Sequence, residues 1–332
     1  MNNKKRATIS DVARAAGLSV GTVSNVVNGR RVSDVNYLKV KKAMDKLGYV
    51  VNESAQALRK DKTSTIALII PNINSPYFSE LVQHINEFSS QKGLNTIIAC
   101  SDYDINEERK MINMAKDKRV AGIIALTYNP WLEIPEDLNF ISLDRIVSPE
   151  TFCVTSANYD GGALAAEKLV NLGSKNLAVV MVKALADNEP KKRVNGFVDY
   201  CEDNDIQYRK NIISEEMNDE EEIVKFLTKE FIHKKSGIDG IFCGTDKLAY
   251  RTIKHLREIN VRVPEDVQVI GFDGTRMFGT DDYICSSIGQ DVQAIAKKAV
   301  EIITLEDKSK LDLKFEIPIS YIKGPSTRDF YS

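Results

Sequence analysis

From Thr65 onward the chain alternates between two textures. Short runs rich in β-branched residues are separated by stretches whose apolar residues recur at helical spacing. The strand-like runs are Thr65–Ile70, Asn95–Ala99, Gly122–Leu126, Phe140–Leu143, Asn176–Val182, Gly240–Cys243 and Val267–Phe272. Between them fall amphipathic segments such as Phe78, Leu81, Val82, Ile85 and Phe88. A parallel strand pair needs a long crossover, and a helix is the usual one, so this alternation predicts parallel sheets with helices on both faces. With the late apolar run Lys314–Ile322 added, the strands are many for one sheet. The pattern predicts two α/β lobes with a cleft between them.

The first sixty residues read as short helices. Ile9, Val12, Ala13 and Ala16 form one apolar stripe, and Thr8 with Asp11 three residues on is a capping-box-like start. Gly17 stops that helix. Ser19 can cap a second, with Val23, Val26 and Val27 inward and Asn28-Gly29 as its end. Ser33 can cap a third, with Val40, Ala43, Met44 and Leu47 inward and Gly48 as the stop. Asp11–Ala16 and Val20–Val27 around Gly17-Leu18-Ser19 fit a helix-turn-helix. The outer face of the second helix offers Val20, Gly21, Thr22, Ser24 and Asn25 to a major groove.

Charge agrees with that reading. Residues 1–62 hold thirteen Lys/Arg against five Asp/Glu, a net of +8, while the remainder carries −10 and the whole chain −2. A basic head on an acidic body is the footprint of a nucleic-acid-binding module joined to something else, although a charge run alone also serves as solvated surface. No stretch approaches the roughly 18 apolar residues of a membrane helix. The basic start has no apolar segment behind it, so no secretory signal is expected and the expected address is the cytoplasm. The five cysteines are far apart with no C-x-x-C, which supports neither a thiolate metal site nor a disulfide framework. No metal or cofactor is implied.

The run Thr8-Ile9-Ser10-Asp11-Val12-Ala13-Arg14-Ala15-Ala16-Gly17-Leu18-Ser19, followed by Thr22-Val23-Ser24-Asn25-Val26-Val27-Asn28-Gly29, resembles the LacI/GalR family of bacterial transcription regulators. Leu47-Gly48-Tyr49, Asn52, Ala55 and Leu58-Arg59 continue the likeness. So do Pro71–Phe78, Gly122-Ile123-Ile124, Leu143-Asp144-Arg145, Asn158 with Gly161-Gly162, Arg193 with Gly196-Phe197, Val263–Val267 and Gly271-Phe272-Asp273, so the resemblance spans nearly the whole chain. It implies an all-α helix-turn-helix headpiece with a hinge helix. It also implies an α/β body of two doubly wound parallel-sheet lobes resembling periplasmic sugar-binding proteins. The expected boundaries are 1–62 for the head, with the hinge helix at about 53–59, and 63–332 for the effector-binding and dimerisation body. Within the body the N-lobe takes about 64–160 and 292–322, and the C-lobe about 161–291 and 323–332.

The resemblance implies a sequence-specific regulator, usually a repressor, that binds a near-palindromic DNA operator as a homodimer under the control of a small molecule, often a sugar. An effector or protein partner that promotes DNA binding is the alternative, and a solute-binding protein without DNA function a remoter one. The implied DNA contacts are Thr8, Ser19, Val20, Gly21, Thr22, Ser24, Asn25, Asn28, Asn52, Ala55, Gln56 and Leu58. Leu58 matches the hinge leucine that wedges into the minor groove. A helix of that length is far below the ~12–15 residues at which an isolated helix is even marginal, so it needs a partner to fold. Asn25 stands where many relatives carry arginine. Asparagine pairs bidentately with adenine and arginine with guanine, so the expected half-site leans toward A·T there.

In open α/β sheets ligands bind beyond the carboxyl ends of the strands. The residues there are polar: Asn72, Asn74, Asp102, Thr127, Asp144, Arg145, Lys183, Thr245, Asp246, Asp273 and, farther on, Gln290. Carboxylates and amides beside an arginine suit a polyhydroxylated ligand, whose hydroxyls both donate and accept. The candidate effector residues are Asn72, Tyr77, Phe78, Asp144, Arg193, Thr245, Asp273 and Gln290, with Tyr77 and Phe78 placed to cover an apolar sugar face. Each polar residue among them, taken alone, equally well caps a helix. No catalytic constellation is visible: His84, His233 and His255 are far apart, and neither H-E-x-x-H, G-x-S-x-G nor a phosphate-binding G-x-x-x-x-G-K occurs, so no enzyme is expected.

Overall fold

In the computed structural model the described residues are 7–27, 30–49, 64–127, 129, 132–182, 189–213, 219–233, 236–277 and 280–329. The chain divides into two compact units, Met1–Thr63 and Ser64–Ser332.

The first unit holds α1 (Ile9–Ala16), α2 (Val20–Val27) and α3 (Asp34–Leu47). The predicted capping box forms: the Thr8 hydroxyl accepts from the Asp11 N–H, and the Asp11 carboxylate accepts from the Thr8 N–H at 2.9 Å. Gly17 ends α1 at φ 65°, a conformation that only glycine adopts without strain. Val12, Ala13, Val23, Val40 and Ala43 make the buried core. Leu47, expected inward, is 37% exposed, and Tyr49, beyond the Gly48 cap, packs against the core instead.

The second unit has two six-stranded sheets among the described residues. The first contains β1 (Thr65–Ile70), β2 (Asn95–Cys100), β3 (Gly122–Ala125), β4 (Phe140–Leu143), β5 (Phe152–Ser156) and β11 (Lys314–Ile317), in the order β11-β5-β4-β3-β1-β2. All of its pairings are parallel. The second contains β6 (Asn176–Val182), β7 (Gln207–Ile213), β8 (Gly240–Cys243), β9 (Gln268–Asp273), β10 (Ser286–Gln290) and β12 (Ile319–Ile322), in the order β12-β10-β9-β8-β6-β7. Here only the β10–β12 pair is antiparallel.

Helices cover both faces of each sheet, as strands buried on two sides require. Over the first sheet, α4 (Pro76–Gln91) and α10 (Val292–Thr304) pack on one face and α5 (Ile105–Asp117) on the other. Over the second, α6 (Asn158–Asn171) and α7 (Lys192–Asp203) share one core, and α8 (Asp219–Leu227) and α9 (Asp246–Glu258) the other.

The chain passes between the lobes three times: from β5 to α6, from β10 to α10 and from β11 to β12. The run Lys314–Ile322 is therefore not one strand. Pro318 lacks the N–H that a ladder needs, and the chain changes sheet there. This corrects the expected lobe boundary, since residues 319–322 pair with β10 in the C-lobe sheet.

Candidate functional site

On the head, α2 presents its outer face as the sequence predicts. Ser19 caps the helix, its hydroxyl accepting from the Thr22 N–H at 3.1 Å and pairing with the Thr22 hydroxyl at 2.9 Å. Val20 and Gly21 are exposed, while Thr22, Ser24 and Asn25 are half-buried beside them. A β-carbon on Gly21 would meet only the Ser19 hydroxyl, at 3.7 Å, so the fold does not demand glycine there. Thr8 sits at the start of α1, engaged in its cap. Asn28, Asn52, Ala55, Gln56 and Leu58, with the hinge at about 53–59, lie outside the described residues.

In the body, five of the eight candidate effector residues join one polar network at the crossovers. Asp144, just past β4, accepts from the Tyr77 hydroxyl at 3.3 Å and from the Thr155 hydroxyl at 2.8 Å. Asn158, the first residue of α6, donates to Thr155 Oγ1 at 2.9 Å and accepts from Arg193 Nε at 2.7 Å. Arg193 also donates to the Gly244 carbonyl at 2.7 Å and lies 3.9 Å from Asp273 Oδ1. Gln290 closes the other side: its amide donates to Asp273 at 2.8 Å and accepts from the Ser156 hydroxyl at 2.6 Å.

The Arg193 guanidinium stacks 3.6 Å from the Phe272 ring centre, above a row of rings formed by Phe272, Phe242 and Phe197. Asp144 and Asp273 both have positive φ, 55° and 129°, which non-glycine residues rarely adopt outside sites that hold them there. Burial pushes the Asp273 carboxyl up to about 8, with Arg193 pulling the other way and the neighbouring Asp246 adding to the rise. Asp246 is itself buried, and burial raises it too. It accepts from the Thr275 N–H at 2.6 Å and the Ser287 hydroxyl at 2.7 Å.

The remaining three candidates lie elsewhere. Asn72 accepts from the Asn74 N–H at 3.1 Å in a local turn. Thr245 caps α9, accepting from the Leu248 N–H at 3.2 Å, which is the helix-capping role. Phe78 packs into the N-lobe core edge-on to Tyr77, with ring centres 5.7 Å apart. It is not an open platform as expected, because the helical period that turns Leu81 and Ile85 inward turns Phe78 with them.

Residues 8–52 match the family model for bacterial regulatory proteins of the lacI family, and residues 66–306 match a periplasmic binding protein domain. The chain belongs to the lacI family of bacterial regulatory proteins. This LacI-family chain is 30% identical to the sucrose operon repressor of Pediococcus pentosaceus, over 95% of its own length and 98% of the relative's. It is 28% identical to the ribose operon repressor of Bacillus subtilis (strain 168), over 97% and 99%. Its fold matches a lac repressor dimer bound to operator and an anti-inducer with a TM-score of 0.81 and 22% identity, covering 97% of this chain and 99% of that one. The LacI-family regulator thus carries a DNA-binding head and a body of the effector-controlled type.

Sequence reasoning missed Thr155 and Ser156 and did not single out Asn158 as a site residue. All three follow from one unrecognised strand, β5, whose carboxyl end delivers them to the crossover. Its apolar stretch Phe152-Cys153-Val154 next to paired polar residues was the available signal. Among the described residues no cluster of three or more His, Cys, Asp or Glu is arranged to hold a metal ion, and no helix is long and apolar enough to cross a membrane.

Proposed function

We propose that this regulator is a cytoplasmic repressor that binds a near-palindromic operator as a homodimer and responds to a sugar or closely related polyol held between the lobes of residues 64–332. One observation carries the sugar reading: Asp144 and Asp273, from opposite lobes, are brought with Arg193 into a single network of hydrogen bonds and one ion pair at the crossovers. Carboxyl oxygens accept from ligand hydroxyls and a guanidinium donates to them, so a polyol satisfies both lobes at once. The relatives named as sucrose and ribose operon repressors point to the same ligand class. The effector contacts are Tyr77, Asp144, Arg193, Asp273 and Gln290, while Asn72, Thr245 and Phe78 stand outside that network, in a turn, a helix cap and the N-lobe core.

The head reads DNA through Thr8, Ser19, Val20, Gly21, Thr22, Ser24, Asn25 and Asn28. Asn52, Ala55, Gln56 and Leu58 act in the hinge. One head spans only a few base pairs, so two-fold pairing supplies the rest of the site. Among the described residues β2 and β7 end their sheets and expose Ile97, Ile98 and Ile212, apolar side chains that pairing with a second copy would cover. The protein acts by binding and not by catalysis: effector binding reorients the lobes, and operator affinity follows.

The test is a thermal-shift screen with sucrose, D-ribose and related sugars, followed by operator binding with and without each hit. A sugar that raises the melting temperature and changes operator affinity is the expected result. If no sugar moves either quantity, the effector assignment falls. Removal of residues 1–62 should abolish operator binding and leave the sugar response intact.

A further inference from the structure

The bonds between Arg193 and Asp144 run in one direction. Arg193 Nε donates to Asn158 Oδ1 at 2.7 Å, Asn158 Nδ2 donates to Thr155 Oγ1 at 2.9 Å, and the Thr155 hydroxyl donates to Asp144 Oδ1 at 2.8 Å. The two ends fix that direction. Guanidinium has only donors and an ionised carboxylate only acceptors, so the Asn158 amide has one consistent orientation, and the Thr155 hydroxyl, with the Ser156 carbonyl at 3.3 Å as its other acceptor, donates to the nearer Asp144. The chain begins at a cation, ends at an anion, and passes from the C-lobe to the N-lobe through the Asn158–Thr155 bond. Thr155 is fully buried, and Asn158 and Arg193 are 1% and 3% exposed. Hydrogen bonds arranged head to tail away from water polarise one another, so each link strengthens its neighbours.

We propose that Asn158 and Thr155 form a cross-lobe relay that couples Arg193 to Asp144, so that the two arms of the cleft take up and release a ligand as one unit. Asn158 is then a positioning residue. It holds Arg193 by Nε, leaving further N–H groups of the guanidinium for other partners, and it passes the charge of Arg193 on to the hydroxyl that orients Asp144. A ligand group that draws on Arg193 weakens the chain, and the effect arrives at Asp144 in the other lobe. The consequence for ligand uptake rests on the cleft being the effector site. The relay itself does not.

The test needs no ligand. Melting temperatures are measured for the full chain carrying Asp144→Asn, Arg193→Met and both together, first with Thr155 and then in Thr155→Ser and Thr155→Val backgrounds. Valine keeps the shape of threonine and removes the hydroxyl, while Asn158 keeps its second acceptor, the Ser156 carbonyl at 3.0 Å. In the parent and Thr155→Ser backgrounds, where the hydroxyl is present, the double variant should lose less than the sum of the single losses, by roughly 2–4 °C in a body of this size. In the Thr155→Val background the losses should add. Additive losses in all three backgrounds would show that Arg193 and Asp144 are not coupled. Equal coupling with valine would show that it runs directly through space and not through the relay. Either result overturns the proposal. Should Arg193→Met fail to fold, Arg193→Lys keeps the charge and an apolar stem but loses both the Nε–H donor and the guanidinium face over Phe272, and the same comparison applies. A failed sugar screen with a positive cycle would overturn the effector reading alone.

Discussion

Gly162 on α6 and Arg193 on α7 meet backbone against backbone: a β-carbon at 162 would overlap the Arg193 carbonyl. The contact is reciprocal, since a β-carbon on Gly196 would overlap the carbonyl of Tyr159. These two bare positions let the helices cross closely enough for Asn158, at the start of α6, to grip Arg193 at 2.7 Å. The need is for space, since neither glycine has a positive φ. Gly196→Ala gains up to about 1 kcal/mol of helix propensity. The clash is with backbone, however, so no rotamer relieves it, and forced separation typically costs about 1–3 kcal/mol. The expected outcome is a lower melting temperature and a weakened effector response, with DNA binding by the head retained. A variant as stable as the parent would mean that the helices separate freely.

Asp273 gives the body a pH signature. Burial raises its carboxyl from an ordinary 3.8 to about 8, so between those values the folded state holds a proton that the unfolded state has released. Stability from this group is therefore full below about pH 4 and declines as pH rises toward 8, by at most about 1.4 kcal/mol per pH unit. Asp273→Asn should flatten that part of the stability–pH curve. Urea denaturation at pH 5, 6, 7 and 8 measures it, and an unchanged slope in the variant would remove Asp273 as the source.

Much of the body's architecture is legible because strands such as Thr65–Ile70 and Phe140–Leu143 are buried on both faces and read as continuous apolar runs. The strands that escape do so for local reasons. β7, Gln207–Ile213, is an edge strand whose exposed positions mix the charged Arg209 and Lys210 with Gln207 and Ile212, so no continuous apolar run marks it. β10, Ser286–Gln290, has Ile288 as its single large apolar residue, and its buried serines are held by hydrogen bonds that periodicity cannot reveal. The charged pocket candidates Asp144, Arg193 and Asp273 were visible as polar residues at strand ends or through family likeness. Which of them touch one another was not. That depends on three crossovers, and one, at Pro318, sits inside what reads as a single strand.

Asn25 should decide one base pair of each half-site. Its side chain lies on the half-buried flank of α2, next to the exposed Val20 and Gly21. An asparagine amide matches the donor–acceptor pair of adenine in the major groove, and a well-made pair discriminates by about 1–3 kcal/mol. Binding-site selection on the full chain should return adenine at that position, and Asn25→Arg should move the preference to guanine. A guanine preference in the parent that the substitution leaves untouched would assign the readout to another residue.

Glu189 provides a second tie between the lobes, through residues that the relay does not use. Its side chain is 5% exposed, lies 3.0 Å from Lys192 at the start of α7, and reaches Lys314 on the N-lobe edge strand β11 at 2.8 Å. Burial would depress the Lys314 ammonium, but its bonds to Glu189 and Glu316 outweigh that and raise it. Removing one member of a buried pair strands the other without its countercharge, which costs far more than the pair contributes as a whole. Lys314→Gln leaves Glu189 its ion pair with Lys192 among the described residues. Since Lys314 is 29% exposed, the loss should be about 1–3 kcal/mol and not the larger figure of a fully buried pair. Replacing both, Glu189→Gln with Lys314→Gln, should cost less than the sum of the singles. Because the tie joins β11 to the segment that carries Arg193, the same variants should shift effector affinity and operator affinity together. Urea denaturation and operator titration check both halves, and additive single effects with unchanged operator binding would reduce this ion pair to a local contact.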